Sequence, residues 1–376
     1  MKVGIMSMQR IENYGSFLQA YSLKQMLEEL GHEVFFVDYM IEPCIVEEPK
    51  PVVVQHSIPY RIVRKGYYLL KQMIQTMNGQ KSAAEALEAK RLRICYPDYI
   101  RELGVSEKRT ENTPVDILII GSDEVFNCLQ TNPVVGYSKQ LFGENVKADK
   151  VITYAASAGF TTVDGLKKAG IQDEVARMLK RNFSAFSVRD ENTFELIQKL
   201  TGQTAETHLD PVLIADFTQQ VIEYNDLENY VVVYSYVERM SNRTEEAEAI
   251  QNFAHSRGLK TVSIGNFQSW TDLKIEASPF ELLGYIKNAA YVVTDTFHGT
   301  VFSIILEKKF GTIIRESNQQ KLSSLLSRFG LSGRQIGSLD KLSEILDAEI
   351  DFAKAKTIRQ FERKRALSYL ASNLTK

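Results

Sequence analysis

A histidine and a glycine separate two apolar runs in the stretch VVTDTFHGTVFSII, residues 292–305. The apolar residues before Asp295 predict a buried strand, and those after Gly299 predict a helix. His298 would then lie at the start of a helix, where free N–H groups and the helix dipole favour an anion. Gly299 would let a ligand approach the backbone closely. The turn is therefore a candidate site for a phosphate or carboxylate beside a proton-carrying histidine; the alternative is a tight turn in which the histidine only packs.

Arg189 follows another apolar run, in the stretch SVRDEN. A guanidinium can hold a carboxylate or phosphate through two parallel hydrogen bonds. The alternative is an ion pair with Asp190 or Glu191 on a solvated turn. In the next turn, HLDPVLI, Asp210 precedes a proline, which favours a helix cap over a catalytic base, and His208 is expected to be structural.

Two turns in the amino-terminal half, NYGS at 13–16 and GSDEVFN at 121–127, supply glycine, small hydroxyls and asparagine. This composition suits sugar hydroxyls as well as phosphates. Neither turn fits the dinucleotide fingerprint or the P-loop. The sequence also has no nucleophile elbow and no pair of histidines at metal-ligand spacing, so no metal site is expected.

Strand and helix patterns alternate along the chain, which predicts an α/β protein with parallel sheets. KVGIMSM (2–8), FLQAYSLKQMLEEL (17–30) and EVFFVDY (33–39) form a strand–helix–strand unit, with Ser16 as the expected cap of its helix. The same rhythm restarts with NYVVVYSYV at 229–237.

These patterns predict two Rossmann-like parallel-sheet domains that face a cleft. The amino-terminal domain would span 1–215 and the carboxyl-terminal domain 216–345, followed over 346–376 by a terminal helix. In such folds ligands bind at the carboxyl ends of the strands, which is where the turns described above fall.

Composition excludes several classes of protein. The 376 residues carry a formal net charge of −2, so no global positive field would recruit nucleic acid. The three cysteines, at positions 44, 95 and 128, are too few and too far apart for a disulfide framework or a structural zinc site. We find neither a signal peptide nor a run of about 18 apolar residues, so a cytoplasmic location is expected.

Six stretches, taken together and in this order, resemble the polysaccharide pyruvyl transferase family. The resemblance runs from about residue 3 to about residue 335 and so covers most of the chain. No single stretch is specific, but six in register are hard to obtain by chance. The stretches are NYGSFLQAYSLKQML, ILIIGSDEVFN, TYAASAG, FSVRDENTFELI, HLDPVLI and VVTDTFHGTVFSIIL.

The resemblance implies a fold like that of the two-domain GT-B glycosyltransferases, in which the terminal helix, 346–376, packs back on the amino-terminal domain. The acceptor would then bind on the side of the amino-terminal domain and the donor on the side of the carboxyl-terminal domain. The resemblance also implies a reaction, in which the enolpyruvyl unit of phosphoenolpyruvate becomes a cyclic ketal on two hydroxyls of a sugar and phosphate leaves. Phosphoenolpyruvate would be a co-substrate, and no cofactor is expected. The acceptor would be a sugar or a lipid-linked saccharide precursor of a polysaccharide.

The resemblance and this chemistry together imply roles for individual residues. A proton must reach the methylene carbon of the donor, and His298 is the candidate acid. The donor carries a carboxylate and a phosphate, so a cation must bind it. The expected donor-binding residues are Arg189, Thr296, Gly299 and Thr300. The expected acceptor-binding residues are Asn13, Tyr14, Gly15, Ser122 and Asp123, although Asp123 alone would also suit a helix cap.

Two places depart from the family's pattern. Many members carry Arg-Leu-His where this chain has Thr296, Phe297 and His298, so one donor contact must come from elsewhere or be absent. Glu124 and Phe126 stand where relatives often show Gln and Trp.

Two other functions fit the same turns. One is a GT-B-type glycosyltransferase that uses a nucleotide sugar, which would need a carboxylate for the ribose and a basic site for the diphosphate. The other is a non-catalytic protein that binds sugars or anions. The presence of both Arg189 and His298 argues mildly against the second.

The stretch YRIVRKGYYLLKQMIQ, residues 60–75, mixes basic residues with tyrosine and leucine. That composition suits the surface of an anionic membrane. However, Gly66 interrupts the helical pattern and the charges do not clearly fall on one face. Contact with a membrane surface is therefore not the favoured interpretation, and we expect ordinary packing in the amino-terminal domain.

Overall fold

The computed structural model describes residues 1–46, 98–111, 113–222, 227–240 and 243–375. The basic and aromatic stretch 60–75 lies outside these residues, and so does Cys95. Within the described part, each helix is either too short or too polar to cross a lipid bilayer.

The first half of the chain forms a parallel sheet of six strands in the order β2-β1-β3-β4-β5-β6. The order reverses direction between β1 and β3, so the loops that follow these two strands diverge and leave a crevice at their carboxyl ends. The strands are β1 (Lys2–Met6), β2 (Glu33–Phe36), β3 (Val115–Asp123), β4 (Ala148–Ala156), β5 (Ser187–Val188) and β6 (Glu206–Thr207).

The second half forms another parallel sheet of six strands, in the order β12-β11-β10-β7-β8-β9. Here the order reverses between β7 and β10. The strands are β7 (Tyr230–Tyr234), β8 (Lys260–Ile264), β9 (Leu273–Ile275), β10 (Tyr291–Thr294), β11 (Phe310–Ile313) and β12 (Gln335–Ile336). The predicted fold class, α/β with two parallel-sheet domains, is therefore confirmed.

Helices connect successive strands and cover both sheets. In the first half they are α1 (Tyr14–Glu29), α2 (Val163–Lys168), α3 (Gln172–Asn182), α4 (Glu191–Thr201) and α5 (Pro211–Ile214). In the second half they are α6 (Val237–Met240), α7 (Thr244–His255), α8 (Pro279–Asn288), α9 (Phe297–Ile305), α10 (Gln319–Arg328) and α11 (Leu342–Asp347). The chain ends with α12 (Ala353–Asn373).

Helix α1 begins at Tyr14, three residues earlier than the apolar pattern predicted. The prediction that Ser16 caps this helix is wrong. The carboxamide oxygen of Asn13 accepts the N–H groups of Gly15 (2.8 Å) and Ser16 (3.3 Å), so Asn13 is the cap. Two of the three added residues contact the second domain, Tyr14 at Ala277 and Gly15 at His298.

Helix α1 also joins the two domains. The rings of Phe17 and Tyr21 pack edge-to-face on Phe280 of α8, with centroids 5.8 and 4.9 Å away. The hydroxyl of Tyr14 donates to the carbonyl of Ala277 at 2.7 Å. These residues belong to one apolar cluster that extends from the first sheet to the second, so α1 is fixed relative to both sheets.

The terminal helix α12 lies against elements of the first half. The Tyr369 hydroxyl donates to the carbonyl of Thr153 at 3.0 Å. Arg359 and Arg363 donate to the carbonyls of Leu213 (2.6 Å) and Ile214 (2.8 Å), at the end of the short helix α5. These carbonyls have no partner within so short a helix, and the two guanidinium groups supply one.

Candidate active site

A cavity of about 430 Å³ lies where the two reversals of strand order meet. Its walls include Asn13 after β1, Asp123 at the end of β3, Tyr236 after β7 and His298 after β10. Each domain thus contributes the carboxyl ends of its two central strands. This is where the sequence predicted that ligands bind.

His298 is the second residue of helix α9, which starts at Phe297 because the Thr296 hydroxyl accepts the N–H of Gly299 at 2.9 Å. The imidazole is 13% exposed and lies directly against the backbone of Gly15 in the other domain. A Cβ atom added to Gly15 would come within 2.0 Å of Nδ1 of His298. Glycine at position 15 is therefore required for the ring to reach the cavity from across the domain boundary.

A buried carboxylate stands behind the imidazole. Oδ2 of Asp210 lies 3.7 Å from Nε2 of His298, which is beyond direct hydrogen-bond distance. The same oxygen accepts a hydrogen bond of 2.8 Å from Nη1 of Arg189. The other carboxylate oxygen of Asp210 accepts the N–H of Val212 and so caps helix α5. We call Arg189, Asp210 and His298 the Asp210 cluster.

The electrostatics of the Asp210 cluster keep its carboxylate charged. Burial alone would raise the pKa of Asp210, but the neighbouring His298 and Arg189 outweigh burial and hold that pKa well below its ordinary value. Arg189 is 5% exposed, and its Nη2 is buried without a hydrogen-bond partner, 3.8 Å from Asp123. A charged carboxylate therefore faces the imidazole from the side away from solvent.

The four residues predicted to bind the donor lie in three places. Thr296 lines the cavity, as does the predicted acid His298. Gly299 and Thr300 are buried, and their polar groups are used inside the helix start: the N–H of Gly299 bonds to Thr296, and the Thr300 hydroxyl donates to the carbonyl of Thr296 at 3.0 Å. Arg189 lies behind the cavity wall, with Asp210 as its partner where the sequence alternatives had named Asp190 or Glu191.

The first turn of α1 holds three of the predicted acceptor-binding residues. Asn13 lines the cavity, and its amide donates to the Tyr236 hydroxyl at 3.1 Å across the domain boundary. Tyr14 is 3% exposed and points to the second domain, where its hydroxyl bonds to Ala277. Burial raises the pKa of this phenol, which therefore stays neutral. Gly15 makes room for His298.

The other two predicted acceptor-binding residues follow β3. Ser122 is fully buried, and its hydroxyl donates to the side chain of Gln19 at 2.8 Å. Asp123 lines the cavity, and its carboxylate accepts the hydroxyl of Ser16 at 3.0 Å. Of this pair, the structure brings only Asp123 to the cavity.

Three charged residues on the cavity wall were not predicted as ligands. Lys321, in the first turn of α10, places its Nζ 3.3 Å from a carboxylate oxygen of Glu124. Burial, and then the charge of Arg189, lower the pKa of Lys321. Burial alone would raise the pKa of Glu124, but the positive charges of Lys321 and Arg189 outweigh burial and lower that pKa. Arg239 lies over the ring of Tyr236, 4.9 Å from its centroid. The available signal was position, because Arg239 follows the central strand β7 by five residues and Lys321 follows β11, the neighbour of β10, by eight.

In the described part of the chain, no three histidine, cysteine, aspartate or glutamate side chains converge as a metal site would require.

A model of the polysaccharide pyruvyl transferase family matches residues 13–317. The chain belongs to this family. The matched residues include Asn13 and the whole Asp210 cluster, whereas Lys321 lies beyond them. Membership indicates a transferase of polysaccharide biosynthesis with a saccharide acceptor.

No curated protein sequence matches the chain significantly. Among solved structures, one similar protein is a putative UDP-N-acetylglucosamine 2-epimerase from Listeria monocytogenes, with a TM-score of 0.49, 10% identity, and coverage of 99% of this chain and 96% of that one. Spinosyn rhamnosyltransferase SpnG has a TM-score of 0.42, 12% identity, and coverage of 100% and 96%. The Thermobaculum terrenum O-GlcNAc transferase mutant K341M has a TM-score of 0.41 and 12% identity; the match covers 99% of this chain and 64% of that transferase. Similarities at this level carry no information about substrates.

Proposed function

We propose that this protein transfers the enolpyruvyl unit of phosphoenolpyruvate to two hydroxyls of one saccharide, which forms a cyclic pyruvate ketal and releases phosphate. The observation that carries this proposal is the Asp210 cluster: an imidazole on the wall of an interdomain cavity, with a buried carboxylate behind it. The reaction balances with the donor and the saccharide alone, so its stoichiometry requires no further co-substrate.

The first step is protonation of the methylene carbon of the donor, which converts it to a methyl group and makes the adjacent carbon electrophilic. A sugar hydroxyl adds to that carbon and loses its proton. The carbon–oxygen bond to phosphate then breaks, and the second hydroxyl adds and loses its proton. One proton has entered and two have left, so one returns to the acid and the other is released with the phosphate.

His298 is the acid in this scheme. Nε2 of the imidazole is buried and faces Asp210. The exposed surface of the His298 side chain therefore comes from the other ring atoms. Asp210 holds a negative charge 3.7 Å from Nε2, on the buried side of the ring, and acts on His298 through space without a direct hydrogen bond. Positioned proton transfer of this kind contributes about 10²–10⁴ to a rate.

Arg189 supports the same step from behind the cavity. Because Asp210 occupies Nη1 and the whole guanidinium is buried, we assign Arg189 to holding Asp210 and to adding positive charge near the bound donor. This replaces the direct clamp that the sequence predicted. Asp123, on the part of the cavity wall that the first domain forms, is the candidate base that orients or deprotonates a sugar hydroxyl.

The test is a comparison of donors. The purified full chain is incubated with phosphoenolpyruvate or with a uridine diphosphate sugar, together with a panel of hexose and N-acetylhexosamine glycosides. We expect phosphate release and a ketal methyl signal by NMR with phosphoenolpyruvate only. Glycosyl transfer from the nucleotide sugar, with no product from phosphoenolpyruvate, would contradict the proposal.

A further inference from the structure

Under the proposed function the donor brings a carboxylate and a phosphate into the cavity. In the described part of the chain, the cavity wall carries one arginine, Arg239, and one lysine, Lys321. Arg189 lies behind this wall. Arg239 is already held in place, since its Nη1 donates to the backbone carbonyl of Asp295 at 3.1 Å and its guanidinium lies over Tyr236. Lys321 is held differently, by one carboxylate on the other side of the cavity.

Lys321 projects from α10 of the second domain to Glu124 of the first. Both side chains are partly exposed, 37% for Lys321 and 38% for Glu124, and an ion pair this exposed is weak. Glu124 also accepts a hydrogen bond of 2.9 Å from the amide of Asn127. It would therefore keep a polar partner if Lys321 moved to another anion.

The position of Lys321 places it close to the candidate acid. Its Nζ lies 4.6 Å from the centroid of the Phe297 ring, and that ring contacts the imidazole of His298 edge-on, with centroids 5.3 Å apart. An anionic group bound to Lys321 would thus lie one aromatic ring away from His298. A phosphate carries more charge than the carboxylate of Glu124 and can replace it as the partner of the ammonium group.

We propose that Lys321 binds an anionic group of the donor, and that Glu124 holds Lys321 in place while the cavity is empty. Binding of the donor exchanges one partner of Lys321 for another and releases the Lys321–Glu124 contact between the two domains. This inference rests on the proposed function for the identity of the donor. The family match ends at residue 317, four residues before Lys321.

The experiment measures binding of phosphoenolpyruvate by calorimetry to the wild-type full chain and to three variants. Lys321→Met should weaken binding about tenfold or more, because a charge-assisted contact is lost. Glu124→Gln should tighten binding severalfold, because Lys321 no longer has a competing anion. In the double variant, the Glu124 substitution should have no further effect on affinity.

A matched control exists on the surface of the second domain. Lys309 is also 37% exposed and pairs with Glu349, but it does not line the cavity. Lys309→Met should bind phosphoenolpyruvate as the wild type does. If Lys321→Met does not fold, Lys321→Gln replaces it, with thermal melts as the check on folding.

Two failures can be distinguished. If the wild type binds phosphoenolpyruvate and Lys321→Met binds it equally well, this inference is overturned while the proposed function stands. If the wild type does not bind phosphoenolpyruvate, the proposed function is in error, and the same variants are titrated with inorganic phosphate and uridine diphosphate. A loss of affinity for either probe in Lys321→Met supports the anion-binding role of Lys321, and equal affinities for both overturn it.

Discussion

Two ion pairs border the cavity, and they differ in burial and in the elements that they join. Arg189 and Asp210 are both almost completely buried, 2.8 Å apart, within the first domain. Lys321 and Glu124 are each more than a third exposed, 3.3 Å apart, and join the two domains. Breaking the buried pair would cost much free energy, so Asp210 stays in a fixed position beside His298. Breaking the exposed pair costs little free energy, so a ligand can replace this contact.

Removing the buried carboxylate should have the largest effect on stability. Asp210→Asn leaves the charge of Arg189 buried without its partner, so we expect a loss of about 3–5 kcal/mol in the free energy of unfolding. Denaturation by urea measures this loss. The control is Glu349→Gln, which removes the carboxylate of an exposed pair. If Asp210→Asn lowers the free energy of unfolding by less than about 1 kcal/mol, the buried pair contributes no more to stability than an exposed pair does.

Gly15→Ala tests the close approach of the two domains at His298. The added methyl group would overlap the imidazole, and forced overlap in a packed site costs about 1–3 kcal/mol. We therefore expect a lower melting temperature and a strong loss of activity. Gly15→Ala combined with His298→Ala should recover the melting temperature but not the activity. If the double variant melts no higher than Gly15→Ala alone, the contact with His298 is not the cause.

The buried histidine His208 predicts a pH dependence of stability. Burial first, and then the charge of Arg365, lower its pKa from 6.5 to about 4. The unfolded chain therefore binds the proton more tightly, and stability falls as the pH drops from 6.5 toward 4. This histidine should contribute about 2 kcal/mol less stability at pH 5 than at pH 7. Urea denaturation of the wild type and of His208→Gln at both pH values measures the difference, which should be absent in the variant; an equal drop in both proteins would assign it to other groups.

The smallest effect on stability is expected from Glu124→Gln. An exposed pair contributes about 0–1 kcal/mol, so the unfolding free energy should change by less than about 1 kcal/mol. Any change should shrink in high salt, since salt screens exposed charges. Melting curves at low and high ionic strength measure it. A loss as large as that of Asp210→Asn would show that the Lys321–Glu124 contact is structural and would end the contrast drawn above.

Much of the fold was predictable because strand and helix patterns are local. The alternation of apolar strands with helices predicted two parallel sheets, and the turns at strand ends predicted where a cavity would lie. Asn13, Asp123, Thr296 and His298 were found this way, and all four line the cavity.

The remaining features depend on contacts between distant parts of the chain. Position at a strand end does not tell which way a side chain points, so Tyr14 and Ser122 were expected in the cavity although they are buried in hydrogen bonds elsewhere. The partnership of Arg189 with Asp210 requires that β5 and β6 lie side by side. Lys321 reaches Glu124 only because the two domains close on each other, and no local pattern encodes that approach.

The most direct test of the central claim follows the proton that His298 is proposed to deliver. The reaction with phosphoenolpyruvate and a saccharide acceptor is run in deuterium oxide, with the wild type and with His298→Ala, and the folding of the variant is checked by circular dichroism. The wild type should give a ketal whose methyl group carries one deuterium, and the folded variant should form it about 10²–10⁴-fold more slowly. A folded variant with near-normal rates, or a product methyl group without deuterium, would contradict the assignment of His298 as the acid.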